Sequence, residues 1–138
     1  MTSTRRNVLI VEDEQCIRDV LVELFETDEV DVKSAGTLDE AKRLLARTIF
    51  HLIVTDIRLG GRRDGGLQVM AAAGILSPEA TVIALTAFPD DANRQASLRL
   101  GATYFLEKPI ALERIALLAA RAGVATAMTS TPTRTPAS

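Results

Sequence analysis

Short apolar runs rich in β-branched residues alternate with longer stretches of helical periodicity, and this alternation limits the possible folds more than any other feature of the chain. Val8-Leu9-Ile10-Val11 is the first run, and a helical stripe at Ile17, Val20, Leu21 and Leu24 follows it. Val30 to Ala35 alternates like an edge strand, and Thr37-Leu38-Asp39-Glu40 then reads as a capping box before Ala41, Leu44 and Leu45. Leu52-Ile53-Val54 is a third strand, followed by a Gly- and Arg-rich loop over 60–66 and a short helical segment around 67–76. Thr81-Val82-Ile83-Ala84-Leu85 ends in Thr86, and the next helix is expected to begin near Asp90-Asp91 and to stop at Gly101. Tyr104-Phe105-Leu106 runs into Glu107-Lys108-Pro109, and a last helix is expected over 110–122, ahead of Gly123.

Strands joined through helices pair in parallel, and parallel strands are covered on both faces. The near-continuous apolar runs of strands one, three and four fit that burial, and the alternating second strand fits an edge. The expected fold class is α/β: a flavodoxin-like, doubly wound sheet of five parallel strands, (βα)5, in the order 2-1-3-4-5. Ligands bind such sheets at the switch point, outside the carboxyl ends of strands one and three. Glu12, Asp13 and Asp56 fall at that crevice, and three converging carboxylates call for a cation.

At 138 residues, with 47% hydrophobic and 25% charged side chains, the chain is one domain with enough apolar mass for a core. The domain is expected over residues 1–124. Residues 125–138 are expected as a disordered tail or truncated linker, since the segment is rich in Thr, Ser, Pro and Ala with Arg134 its only charge. A net charge of −2 gives no general attraction to nucleic acid or anionic membrane. No apolar run is long enough for a membrane span, so a cytoplasmic location is the default expectation. The single cysteine, Cys16, is expected as a core or half-buried thiol. His51, the only histidine, precedes the third strand at the end opposite Asp56 and is expected at the surface, without a catalytic role.

Several chemistries use a crevice of this kind. A dinucleotide site needs a Gly-x-Gly-x-x-Gly turn after strand one, where this chain has Glu12-Asp13-Glu14-Gln15, which repels a pyrophosphate. A flavin site of the flavodoxin type wants a phosphate loop and stacking aromatics, but the chain has no Trp, one Tyr and four Phe. A phosphatase of the haloacid dehalogenase type needs a second Asp two residues after its nucleophile, where Arg58 stands. A phosphoryl-accepting carboxylate does fit. Asp56 would be the nucleophile, a hard cation such as Mg²⁺ would offset the charge on the phosphoryl oxygens, and Lys108 and Thr86 would bind the remaining oxygens. Taken alone, Asp56 or Glu12-Asp13 could equally be helix caps, Thr86 a strand-end hydroxyl and Lys108 a solvated lysine. Their joint placement at successive strand ends is what separates the two readings.

Glu12-Asp13, Thr55-Asp56-Ile57, Leu85-Thr86-Ala87 and Glu107-Lys108-Pro109, in this order, resemble the receiver domains of two-component response regulators over residues 6–123. The resemblance implies Asp56 as phosphoacceptor for a histidine kinase or phosphotransfer protein. It further implies Mg²⁺ held by Glu12, Asp13, Asp56 and the main-chain carbonyl of Arg58, and phosphoryl contacts from Thr86 and Lys108. It implies a signalling domain whose only catalysis is its own phosphorylation and dephosphorylation. The alternative is an interaction module that binds partners irrespective of phosphorylation; a metal-dependent phosphatase lacks an evident substrate loop and general acid.

The family's switch couples the threonine to an aromatic residue, here Phe105, with Tyr104 on the opposite face. The chain departs from the family pattern at Gly60, which replaces the usual proline, and in a 61–66 loop that is too long by about one residue. Arg58, Arg62 or Arg63 is expected to tune hydrolysis or partner contact. In the last helix Leu112, Ile115, Ala116 and Ala119 form the expected inner stripe, and Leu117, Leu118 and Ala120 extend beyond it. The resemblance implies a signalling face of helix four, strand five and helix five, where this surplus would meet a downstream partner or second subunit.

Overall fold

The computed structural model describes residues 5–128. Its strands are β1 (Arg6–Val11), β2 (Val30–Ala35), β3 (Leu52–Asp56), β4 (Thr81–Thr86) and β5 (Tyr104–Glu107); the helices between and after them are α1 (Gln15–Phe25), α2 (Leu38–Arg47), α3 (Gly65–Leu76), α4 (Asp91–Arg99) and α5 (Leu112–Arg121). All neighbouring strands pair in parallel, in the order β2-β1-β3-β4-β5. This is the architecture the alternation requires.

The two-residue period of β1 and β3 sorts their side chains onto the two faces. Val8, Ile10, Leu52 and Val54 join Ile83, Leu85 and the inner sides of α1 and α5 in one core. Leu9, Val11 and Ile53 join Val82, Ala84, α2 and α3 in the other. Strand β2 has exposed and half-buried residues between its buried ends, as an edge should. At the start of α2 the Thr37 hydroxyl accepts from the Glu40 amide at 3.1 Å, while Glu40 reaches past the cap to accept from the Gly36 amide at 2.7 Å.

The helices differ in detail from the sequence-based expectations. Ile17 and Val20 are exposed, and Leu21, Leu24 and Phe25 form the buried side of α1, so the inner stripe is turned by one position. Cys16, in the first turn of α1, is exposed rather than half-buried, because that turn stands above the end of the sheet. Helix α3 starts at Gly65, and α5 starts at Leu112 rather than at 110, since Pro109 and the extended Ala111 precede it. In α5 Leu118 is core, Leu112 is half-buried, and Leu117 and Ala120 face outward. His51 is half-buried; its Nδ1 accepts from the Asn7 amide at 2.9 Å.

The segment from 125 onward begins with ordered contacts. Thr126 is buried and the Ala127 amide donates to the Leu24 carbonyl at 2.8 Å, so the chain packs against the end of α1. Residues 129–138 lie outside the described residues. Among the described residues no helix is long and apolar enough to cross a membrane.

Candidate functional site

Four of the five strands, all but the edge strand β2, deliver their terminal residues to one point. Glu12 follows β1, Asp56 closes β3, Thr86 closes β4, and Lys108 follows β5. Glu12 is 1% exposed, Asp56 5% and Thr86 4%, a density of buried polar groups that only mutual hydrogen bonding can sustain. The Lys108 ammonium provides it: Nζ lies 3.0 Å from Glu12 Oε1 and 2.9 Å from the carboxylate of Asp56. The Lys108 amide donates to the Thr86 carbonyl at 2.7 Å, which fixes the backbone from which the ammonium projects. The Lys108–Pro109 peptide bond is cis.

Asp13 is exposed, and its Oδ2 accepts from the Gly60 amide at 2.9 Å. One oxygen each from Glu12, Asp13 and Asp56 lies within 4.8 Å of the others, close enough to share a metal ion. An all-carboxylate donor set suits a hard cation such as Mg²⁺ or Ca²⁺. The cluster opens into a cavity of about 220 Å³ that Arg58, Thr86, Phe88 and Lys108 also line.

Burial raises the Asp56 pKa to about 7; the Lys108 hydrogen bond opposes the rise and the adjacent Glu12 carboxyl adds to it. Burial acts to lower the Lys108 pKa, but hydrogen bonds and charge from Asp56 and Glu12 outweigh it and the value is raised. One half-buried ammonium thus serves two buried carboxylates. A divalent cation at this place would favour ionised Asp56 and share the charge.

The structure brings Glu12, Asp13, Asp56, Thr86 and Lys108 together, and sets Arg58 on the pocket rim with its side chain exposed. The Thr86 hydroxyl oxygen accepts from the Phe88 amide at 2.9 Å. Phe105 packs on the α2–α3 side of the sheet and Tyr104 on the other, with Arg94 of α4 over the Phe105 ring at 5.3 Å. His51 stands at the start of β3, the far end from Asp56.

Two contributors escaped the motif reading. A Cβ at Gly66 would lie 1.8 Å from the Asp56 carbonyl oxygen, so only glycine lets α3 press against the backbone that carries Asp56. Its place in a Gly-rich loop was visible, but the close approach was not. Phe88 is 54% exposed beside the site, and its ring lies 4.4 Å from the Arg58 guanidinium. A lone Phe two residues beyond Thr86 carries no such signal in sequence.

Fold and site together define a doubly wound α/β protein with an acidic, lysine-bridged crevice at its switch point. The response regulator receiver domain model matches residues 8–120. Over 120 residues the chain is 37% identical to the response regulator protein PilR of Pseudomonas aeruginosa, covering 86% of this chain and 26% of that one. A crystal structure of a response regulator from Burkholderia pseudomallei, with a phosphorylated aspartic acid, calcium ion and citrate, aligns with a TM-score of 0.74 at 31% identity, covering 83% of this chain and 65% of that one. The beryllofluoride-activated NtrC4 receiver domain dimer aligns with a TM-score of 0.73 at 30% identity, covering 84% and 94%. This chain belongs to the response regulator receiver domain family, the signalling modules of two-component systems. It spans about a quarter of the length of the curated relatives it matches.

Proposed function

We propose that Asp56 accepts a phosphoryl group from the phosphohistidine of a histidine kinase or phosphotransfer protein, and that the modified site alters a partner-binding face. The observation that carries this reading is Lys108 Nζ held between Asp56 and Glu12 at the mouth of a small open cavity. In the transfer an Asp56 oxygen forms a bond to phosphorus as the bond from phosphorus to the donor's imidazole nitrogen breaks, and that nitrogen keeps the electron pair. Lys108 Nζ holds its proton and donates to the phosphoryl oxygens; the Thr86 hydroxyl, free to donate while its oxygen accepts from Phe88, supplies a second contact.

Glu12, Asp13 and Asp56, with the main-chain carbonyl of Arg58, are the groups that would hold Mg²⁺, whose charge offsets that of the incoming phosphoryl oxygens. Loss of the group to water completes a cycle in which the domain acts only on itself. Arg94 of α4 lies over the Phe105 ring of β5, within the α4–β5–α5 face, and Leu98 of α4 and Leu117 of α5 are exposed at 49% and 55%. That face is the proposed contact for a downstream partner or second copy. The reading places the domain in the cytoplasm, without direct nucleic-acid contact, and its limits at residues 1–124, with the next few residues, through Ala127, still packed against α1.

Incubation with a small acyl phosphate and Mg²⁺, followed by intact-mass measurement, tests the reading. A single phosphoryl adduct that disappears in Asp56→Asn and on chelation supports it. An adduct indifferent to both assigns the reactivity elsewhere, and multiple turnover of a phosphomonoester makes the protein a phosphatase instead.

A further inference from the structure

Helix α3 is the one helix of the five without a charged residue, and its only polar side chain is Gln68. Val69, Met70 and Ala73 face the core, and the four-residue spacing sets Ala71 and Ile75 on one line of the opposite, solvent face, with Gly74 beside them. Ile75 is 80% exposed and Ile49 66%, the two highest exposures of any large apolar side chain among the described residues. The Phe50 amide donates to the Ser77 hydroxyl oxygen at 2.9 Å, which brings Ile49 beside Leu76 at the end of α3, so these side chains form one apolar patch. Gly74 differs from Gly66, because a Cβ there would meet no atom within 4 Å. The fold has no need of a glycine at that position, and a glycine inside a helix is destabilising relative to alanine. What Gly74 offers is a bare stretch of backbone that a second helix is free to approach closely.

The charges around the patch decide what covers it. About a two-fold axis each residue near the axis meets its own copy, so a charge there meets a like charge. The exposed sides of α1, α2, α4 and α5 all carry charges, and that of α3 carries none. At the rim Arg47, two residues before Ile49, and Glu79, three after Leu76, are exposed and opposite in sign, so the rim, like the centre, is complementary to its own copy. We propose that this face docks a second copy of the chain: two α3 helices cross at Ala71 and Ile75 about a two-fold axis, with Ile49 and Leu76 extending the contact. The patch is centred toward the start of β3, the far end of the sheet from Asp56, so pairing leaves the acidic cavities open and the α4–β5–α5 faces free for other partners. It requires no phosphoryl group and does not rest on the phosphoacceptor reading.

Sedimentation equilibrium of the full chain, without phosphodonor or metal, tests the pairing at concentrations up to the order of 100 μM, the range a small interface requires. Wild type is expected as a reversible dimer. Ile75→Lys and Ile75→Glu each place a like-charge pair at the axis and should raise the dissociation constant at least about tenfold. Mixing the two variants should recover a dimer, because opposite charges then meet across the axis. Ile75 is 80% exposed, so circular dichroism and thermal unfolding of the variant monomers should show the fold intact. Gly74→Gln should weaken the dimer as Ile75→Glu does, and Leu117→Glu, on the outer side of α5, should leave it unchanged. A monomeric wild type overturns the proposal and gives the face to a partner of another kind. A dimer indifferent to position 75 and lost in Leu117→Glu overturns it by assigning self-association to the α4–β5–α5 face, and variants that stay monomeric when mixed remove the two-fold crossing at Ile75. A chain that dimerises through position 75 and never accepts a phosphoryl group defeats the phosphoacceptor reading alone.

Discussion

Helices α2 and α4 both lie in the second half of a βα unit, yet they are held in opposite ways. Helix α2 buries Leu38, Ala41 and Leu45 and has a two-sided cap at Thr37 and Glu40. Helix α4 buries only Ser97, whose hydroxyl is the one buried side-chain oxygen among the described residues without a hydrogen-bond partner. Asp90 caps it through the Asn93 amide at 2.8 Å, but little apolar surface docks it. The same division separates the ends of the crevice: the β1–β3 side, backed by α2 and α3, holds the carboxylates in a dry frame, while the β4–α4 side carries Thr86, Phe88 and the residues over Phe105. The rigid half holds charge and the loosely held half is able to respond to it.

The largest effect should come from crowding the rigid half. Gly66→Ala is expected to cost about 3 kcal/mol in chemical denaturation, the upper range for overpacking, because its Cβ meets the Asp56 carbonyl. A cost below about 0.5 kcal/mol would mean that α3 yields easily and that the frame is not rigid. Next, Leu45→Ala in α2 should cost about 2–3 kcal/mol, whereas Ser97→Ala in α4 should be neutral or stabilising by up to about 1 kcal/mol, since it removes a hydroxyl buried without a partner. Equal losses at the two positions would erase the contrast. Native-state hydrogen exchange sharpens it: α4 amides should exchange at least about tenfold faster than those of α2, a gap of about 1.4 kcal/mol in opening free energy.

The smallest effect lies at the far end of the sheet. Burial, with a further contribution from Arg6, lowers the His51 pKa below its usual 6.5, and the Nδ1 that accepts from Asn7 must be unprotonated. The unfolded chain therefore binds the proton first, so this group's contribution is complete above pH 6.5 and is lost as pH falls through that value to the lowered folded one. Asp56 acts in the opposite sense. Its folded pKa of about 7 exceeds the usual 3.8, so stability falls as pH rises between them. Subtracting the pH profile of His51→Asn from that of wild type isolates the histidine, and a flat difference between pH 7 and 5 would remove its role.

The regular parts of this organisation are legible in sequence because burial dictates them. Val8 to Val11 and Leu52 to Val54 carry no polar residue, so they must lie inside, and once they do, Glu12 and Asp56 can only emerge at one end. The parallel sheet then brings Thr86 and Lys108 to that same end, but the direct bridge from Lys108 to both carboxylates is not legible, since the sequence points the ammonium at phosphoryl oxygens. Features set by a fraction of a helical turn are not legible: a small rotation of α1 exposes Ile17 and Val20, and another in α5 buries Leu118 and leaves Leu117 in water. Exposed pairs such as Arg58 and Phe88 leave no pattern, because neither periodicity nor burial demands them. The ordering of Thr126 was hidden for the converse reason, since one buried threonine in a Thr- and Pro-rich segment looks like the rest of it.

Reductive trapping tests the central claim most directly. The chain is loaded with acetyl phosphate and Mg²⁺, treated with borohydride, and digested for peptide sequencing by mass spectrometry. An aspartyl phosphate is reduced to homoserine, so the account predicts homoserine at position 56 alone, absent when metal is chelated. Homoserine at Glu12's neighbour Asp13 or at any other aspartate, with position 56 unmodified, would contradict it.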